Sequence, residues 1–245
     1  MPAFSSFFPE EIMQTSRSVA YSGASVASLY MRQVYMWMGA GLFLTALVSW
    51  GVASSQAAMQ LIFSNAFVLI LLCVAQLGLV IALSAAVHRM SAQTATLCFL
   101  AYAVLTGVTL ASIFVVYPMG SIANAFLSTA GMFVAMSIYG TVTKRNLAGM
   151  GNFLFMGLIG LLIAMVVNIF LASSMMDFVI SAVGVVLFTL LTAYDTNQLR
   201  IFGSSAPLDD EVAVRRGAIL GALTLYLDFI NLFLMLLRLF GNSDR

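Results

Sequence analysis

Seven apolar stretches follow one another along this chain, each separated from the next by a short polar segment. A helix needs about 20 mostly apolar residues to cross the hydrocarbon core of a bilayer, and each stretch has that length. Strands of a membrane barrel would alternate in polarity over segments of about 10 residues, and the chain shows no such pattern. The sequence therefore predicts seven transmembrane helices, at 32–53, 61–86, 92–116, 121–142, 151–172, 177–199 and 217–240.

The composition agrees with lipid as the main solvent. Hydrophobic residues make up 62% of the 245 and charged residues only 8%, against about 25% charged residues in a soluble domain. We therefore expect an all-α, polytopic membrane protein with one transmembrane domain at residues 31–245, preceded by a flexible or interfacial lead-in at residues 1–30. The net charge is +1 and the chain has a single Lys, which argues against nucleic-acid binding.

The basic residues indicate an orientation. Cytoplasmic loops are enriched in Lys and Arg. With a cytoplasmic N-terminus, that side would carry 8 of the 10 Lys and Arg residues, and the other side only Arg238 and Arg245. Seven spans then place the C-terminus on the opposite side.

Two carboxyl groups fall inside the predicted spans. Asp195 lies in the sixth span and Asp228 in the seventh, and neither has a Lys or Arg within one helical turn. An ionisable side chain at the centre of a membrane helix costs about 2.5–3.5 kcal/mol and marks a candidate functional site.

Two interpretations of this pair are open. Each Asp could be protonated and hold neighbouring helices together by hydrogen bonds. Alternatively, the two carboxyls form a coupled pair that titrates as a unit, and in its ionised form binds a hard cation such as Ca²⁺ through oxygen. Counting along the helices separates the two residues by roughly 8–10 Å in depth, so the sequence alone does not predict contact.

Three amides are candidate supporting groups. Gln76, Asn168 and Asn231 also lie in predicted spans, where amides usually bridge helices. Asn231 is three residues after Asp228 and so shares a helix face with it, within reach of a hydrogen bond to the carboxyl.

The segments around the two aspartates carry a resemblance. Thr192-Ala193-Tyr194-Asp195-Thr196-Asn197-Gln198-Leu199 and Leu225-Tyr226-Leu227-Asp228-Phe229-Ile230-Asn231-Leu232-Phe233 resemble the paired signatures of the transmembrane Bax inhibitor motif family, in its bacterial branch. The similarity extends over roughly residues 28–242.

The resemblance implies a seven-helix bundle whose last helix is wrapped by the other six, and a pH-sensitive Ca²⁺ leak. Asp195 and Asp228 would be the pH sensor, sharing a proton in the closed state and losing their hydrogen bond on deprotonation. It also implies a bacterial inner-membrane location. Many members have Glu where this chain has Gln76, which removes a carboxylate from the second span.

Four other functions have features in common with this sequence. An intramembrane aspartyl protease also needs two membrane aspartates, but the Gly-x-Gly-Asp half of its signature is absent, so we expect no enzyme activity. A retinal protein needs a Lys in its last span, and the only Lys is Lys144 in a loop. A secondary transporter is disfavoured because no inverted repeat is detected. A regulatory or binding protein, which modulates other membrane complexes without conducting ions, remains an alternative.

The expected partners are therefore Ca²⁺ or other cations, the lipid bilayer and membrane proteins. No cofactor is expected.

Overall fold

The computed structural model describes the backbone of residues 10–204 and 211–241. Side chains are described for residues 26–87, 89–204 and 212–241. Of the predicted lead-in at residues 1–30, the first nine residues lie outside the described part, and from Glu10 onwards the backbone is helical.

The described chain consists of helices joined by short turns. The helices are α1 (Glu10–Ala53), α2 (Gln56–Phe63), α3 (Ala66–Ala86), α4 (Ala92–Leu110), α5 (Ile113–Val116), α6 (Met119–Val142), α7 (Gly151–Leu171), α8 (Ser174–Ser204) and α9 (Glu211–Phe240). Short 3-10 turns lie at Val87–Arg89 and Leu147–Met150.

Seven segments of the described chain are long and apolar enough to cross a membrane, which confirms the predicted number. They are Val26–Ala53, Ala66–Ala86, Ala92–Val116, Met119–Val142, Leu147–Leu171, Ser174–Ser204 and Val212–Phe240. The side chains exposed on them are largely big and apolar, including Phe170 at 83% exposure and Ile169 at 76%. Such a surface is suited to lipid rather than water.

The second span begins later than its hydropathy predicts. Residues 61–63 belong to the short helix α2, which ends at Phe63. The Asn65 side chain then accepts a hydrogen bond from the Phe67 backbone N–H and so caps a new helix, α3. Apolar residues run through this junction, so only the capping side chain marks it.

The last helix lies at the centre of the bundle, as expected. In the most apolar window of its span, 67% of the residues are buried, against at most 39% in any other span. It packs on α1, α4, α6 and α8. Its buried side chains, among them Ile219, Leu225 and Tyr226, form the main core with residues of α1 and α4.

Small residues allow the central helices to approach closely. A Cβ added at Gly221 of α9 would lie 2.8 Å from Leu199 of α8, and one added at Gly140 of α6 only 2.4 Å from the Ala193 carbonyl oxygen of α8. Close helix approach at small residues is the common packing mode in membranes. It places the middle of α8 tightly between α6 and α9.

Candidate functional site

The two membrane aspartates meet between α8 and α9. The side chains of Asp195 and Asp228 lie next to each other, close enough for the two carboxyls to interact directly. Asp228 is 5% exposed, whereas Asp195 is partly accessible. Residue counting along the two spans did not predict that Asp195 and Asp228 meet. In the folded bundle they are neighbours.

A hydrogen bond between the two carboxyls requires a proton on the pair. An ionised carboxylate is an acceptor only, so two carboxyls can bond to each other only if at least one keeps its proton. Oδ2 of Asp228 is buried, and no N–H group of the described residues donates to it. An ionised Asp228 would thus lack, at this oxygen, the donor that stabilises a buried negative charge.

A cavity of about 490 Å³ reaches Asp195, the more accessible member of the pair. Asp195, Gln198, Thr224 and Arg216 are among the residues that line it. Arg216 also donates to the Met90 carbonyl oxygen at 3.2 Å, which ties the start of α9 to the turn between α3 and α4. The cavity lining thus contains both a carboxyl group and a guanidinium. An ion that enters the cavity would interact electrostatically with both groups.

Sequence reasoning had not singled out Gln198 or Thr224 as site residues. Gln198 follows Asp195 by three positions and Thr224 precedes Asp228 by four, so both lie on the same helix faces as the aspartates. That spacing is the signal that would have found them.

Asn197 fixes the position of the segment that carries Asp195. Its side chain is fully buried; Nδ2 donates to the Gly140 carbonyl oxygen at 3.0 Å, and Oδ1 accepts from the Leu147 N–H at 3.2 Å. One amide thus satisfies two buried backbone groups, at the end of α6 and in the turn after it. The motif residue two positions after Asp195 is a clamp between helices.

Two of the three predicted supporting amides, Gln76 and Asn168, have hydrogen-bond partners outside the carboxyl pair. Gln76 Nε2 donates to Thr109 Oγ1 at 2.7 Å and so joins α3 to α4. Asn168 Nδ2 donates to Asp177 Oδ1 at 2.7 Å, across the turn from α7 to α8. Both amides bridge helices, as is usual in membranes.

Asn231 differs from its predicted contact. Its Nδ2 donates to the Leu227 carbonyl oxygen at 2.8 Å, four residues earlier in the same helix. The amide N–H thus binds a backbone carbonyl of its own helix rather than the Asp228 carboxyl. Short polar side chains such as Asn commonly form such local hydrogen bonds.

The hydroxyls of Thr45 and Tyr226 form a buried pair in the core close to Asp228 in sequence. Thr45 Oγ1 donates to the Ala103 carbonyl oxygen at 2.9 Å and lies 2.7 Å from the Tyr226 hydroxyl. Since the Thr45 proton is engaged by Ala103, Tyr226 is the donor in the second bond. This pair links α1, α4 and α9 two residues before Asp228.

Among the described residues, no three His, Cys, Asp or Glu side chains gather in a way that could hold a metal ion. Two carboxyl groups supply at most four oxygens, and Ca²⁺ takes about six to eight. A resident Ca²⁺ at Asp195 and Asp228 would therefore need further ligands, such as backbone oxygens or water.

The described chain is thus an integral membrane protein of the helical-bundle class, with two neighbouring carboxyls on its last two helices. The sequence profile of the family described as "Inhibitor of apoptosis-promoting Bax1" matches residues 27–245. This range contains all seven described spans except Val26, the first residue of the first span. The chain belongs to this Bax inhibitor motif family.

Bacterial relatives match over nearly their full length. The chain is 54% identical to "Inner membrane protein YbhL" of Escherichia coli (strain K12) over 213 residues, which are 87% of this chain and 91% of that protein. It is 44% identical to a protein of Borreliella burgdorferi over 217 residues, 89% of this chain and 93% of the relative. With a protein of Deinococcus radiodurans it shares 43% identity over 214 residues, 87% and 90% of the two chains.

Proposed function

We propose that the protein is a pH-sensitive leak channel for calcium or related cations, gated by Asp195 and Asp228. The observation that carries the proposal is the contact between the two carboxyls across the interface of α8 with the central helix α9. A hydrogen bond at that interface exists only while the pair keeps a proton. Proton loss therefore changes the interaction between two helices rather than a local side chain.

The sign of the pH response follows from the same bond. With one proton on the pair, the two carboxyls attract each other and the helices stay together, which is the closed state. When both are ionised they repel each other in a site of low dielectric, which favours separation of α8 from α9. Protons thus stabilise the closed state, and cation flux is expected to rise as the pH rises.

Calcium is the cargo in this proposal and not a resident ligand. The cavity at Asp195 offers carboxyl and amide oxygens, the ligand type that a hard cation prefers, but too few of them to retain the ion. Conduction requires binding that is weak enough to release the ion.

The experiment is Ca²⁺ flux into dye-loaded proteoliposomes between pH 5 and 8. Wild-type protein is compared with Asp228→Asn and Asp195→Asn, which keep side-chain size and remove the charge. Either substitution should flatten the pH profile, because an amide can donate to the remaining carboxyl without titrating. Lys144→Gln, which removes a charge from the exposed loop between α6 and α7, is the control and should keep the wild-type profile.

Three results would count against the proposal. Flux that rises on acidification would contradict a closed state held by a shared proton. A pH profile unchanged in Asp228→Asn would remove the pair from gating. Absence of flux at every pH, in folded protein, would favour a regulatory membrane protein in which the aspartates only hold helices together.

The proposal is also that the protein is not an enzyme. A pair of membrane aspartates sharing a proton is the arrangement that an aspartyl protease uses. Cleavage of a membrane peptide that is lost in both Asp→Asn variants would establish the enzyme instead.

We place the protein in a bacterial inner membrane, with the N-terminus in the cytoplasm and the C-terminus on the other side. The asymmetry of Lys and Arg supports the orientation, and the name of the Escherichia coli relative supports the membrane. The Asp195 cavity, which lies at the end of the bundle where α8 ends, then opens to the cytoplasm. A reporter fused after Arg245 that is active only outside the cytoplasm should be active, and an inactive reporter would reverse the C-terminal assignment.

A further inference from the structure

A second, larger cavity lies at the opposite end of the bundle from Asp195. It measures about 810 Å³ and is bounded by the end of α7, the start of α8 and the end of α9. Asp177 and Arg238 both line it. Asp177 is in the first turn of α8, and Arg238 is in the last turn of α9. Both charges therefore stand at the same boundary of the bundle.

The two charges are held apart. Asp177 Oδ1 accepts a hydrogen bond from Asn168 Nδ2 at 2.7 Å. Asn168 is 6% exposed and also exchanges hydrogen bonds with the Ser173 backbone, donating to its oxygen and accepting from its N–H. Within residues 26–204 and 212–241 no ion pair of 4.0 Å or less joins Asp177 to Arg238. An anchored carboxylate and a separate guanidinium thus face one cavity.

The cavity wall is part polar and part lipid-facing. Ser174 and Ser181 contribute hydroxyls, while Ile169 and Phe178, which are 76% and 59% exposed, also line it. Those two side chains belong to membrane-spanning helices near their ends, so the cavity opens towards the acyl chains of the surrounding bilayer as well as towards its headgroups.

We propose that this cavity binds the headgroup of a zwitterionic phospholipid of the phosphoethanolamine class. The Arg238 guanidinium binds the phosphate, for which its planar donor group is well suited. The Asp177 carboxylate binds the ammonium group, and the acyl chains lie along Ile169 and Phe178. This site is independent of the proposed leak, since it shares no residue with the Asp195 cavity.

Charge complementarity favours this occupant over others. A free cation would meet Arg238, and an anionic headgroup would meet Asp177, whereas a headgroup that carries both charges satisfies both side chains. The lipid-facing wall favours a ligand with acyl chains over a water-soluble zwitterion.

The test is native mass spectrometry of the purified protein, titrated separately with phosphatidylethanolamine, phosphatidylglycerol and soluble glycerophosphoethanolamine. The wild type should bind phosphatidylethanolamine more tightly than the other two. Asp177→Asn should weaken phosphatidylethanolamine binding by about two- to fivefold, the upper part of the range for a single exposed charge contact, while leaving phosphatidylglycerol binding equal or stronger. Arg238→Gln should weaken the binding of both lipids.

Controls keep the outcome interpretable. Lys144→Gln removes one positive charge from the exposed loop between α6 and α7, and should bind both lipids as the wild type does. Asp177→Glu keeps the charge and should keep the preference for phosphatidylethanolamine. Comparison with Asp177→Asn then separates loss of lipid binding from loss of folding. Equal binding of both lipids to the wild type, or an unchanged preference in Asp177→Asn, would overturn the proposal. Binding of glycerophosphoethanolamine as tight as that of the lipid would replace the lipid by a soluble ligand.

Discussion

The contact between α6 and α8 provides a sharp test of how the Asp195 segment is held in place. Gly140 of α6 lies so close to α8 that an added Cβ would be 2.4 Å from the Ala193 carbonyl oxygen and 3.0 Å from Thr196 Cβ. Ordinary van der Waals contact begins near 3.4 Å. The substitution Gly140→Ala therefore requires the two backbones to separate by about 1 Å, because a carbonyl oxygen in a helix cannot move away alone.

The cost can be assembled from the structure. Overpacking of a tight contact costs about 1–3 kcal/mol. The same displacement stretches the 3.0 Å hydrogen bond from Asn197 to the Gly140 oxygen, which contributes about 0.5–1.5 kcal/mol. Ala is favoured over Gly in a helix by about 1 kcal/mol, which offsets part of this. We expect a net loss of about 1–3 kcal/mol in the free energy of unfolding.

The assay is thermal unfolding in detergent micelles, followed by the intrinsic fluorescence of the two Trp residues. For a chain of this size the loss corresponds to a fall in Tm of about 3–10 °C. Gly131→Ala is the matched control, because Gly131 lies in the same helix and an added Cβ there meets nothing within 4 Å. Its Tm should be unchanged or slightly higher. Equal Tm values for the two variants would refute the reasoning, since they would show that α6 and α8 are not in fixed close contact.

Two further substitutions test the core around the site. Asn197→Ala should lower the free energy of unfolding by about 2–4 kcal/mol, because two buried backbone groups lose their partner; thermal unfolding should show no comparable loss for the exposed Asn152→Ala, and similar Tm values would contradict the clamp. Tyr226→Phe should cost only about 1 kcal/mol in chemical unfolding, since Thr45 keeps its bond to the Ala103 oxygen and the ring packing is retained. A loss above about 3 kcal/mol would show that the Tyr226 hydroxyl has partners beyond Thr45.

The edges of the spans show where local sequence is sufficient. The fourth span was predicted at 121–142 and lies at Met119–Val142, and the third ends at Val116 as predicted. Pro118 separates these two spans, and proline disfavours continuation of a helix from the residue before it. The second span was predicted five residues too early, because hydropathy does not register the cap at Asn65.

The sixth span is longer than its hydropathy predicts. It was predicted at 177–199, ending at a charged residue, whereas α8 continues from Ser174 to Ser204. A helix can extend beyond the hydrocarbon into the headgroup region, where hydropathy no longer reports its end. This extension carries Phe202 and Gly203 against Tyr30 of α1.

The sequence by itself determined that the chain is a helical membrane protein with seven spans, because partition into lipid depends on local apolar length and backbone hydrogen bonds close within each helix. It also marked Asp195 and Asp228, since a carboxyl within an apolar run is conspicuous wherever it folds. The proximity of the two carboxyls, by contrast, depends on how the helices pack. Asp195 lies nine residues before the end of α8, and Asp228 seventeen residues after the start of α9, so their relative depth depends on how the two helices are staggered and tilted. That packing is set by side chains from several helices at once, among them Gly140, Asn197 and Gly221, and no single segment of the sequence encodes it.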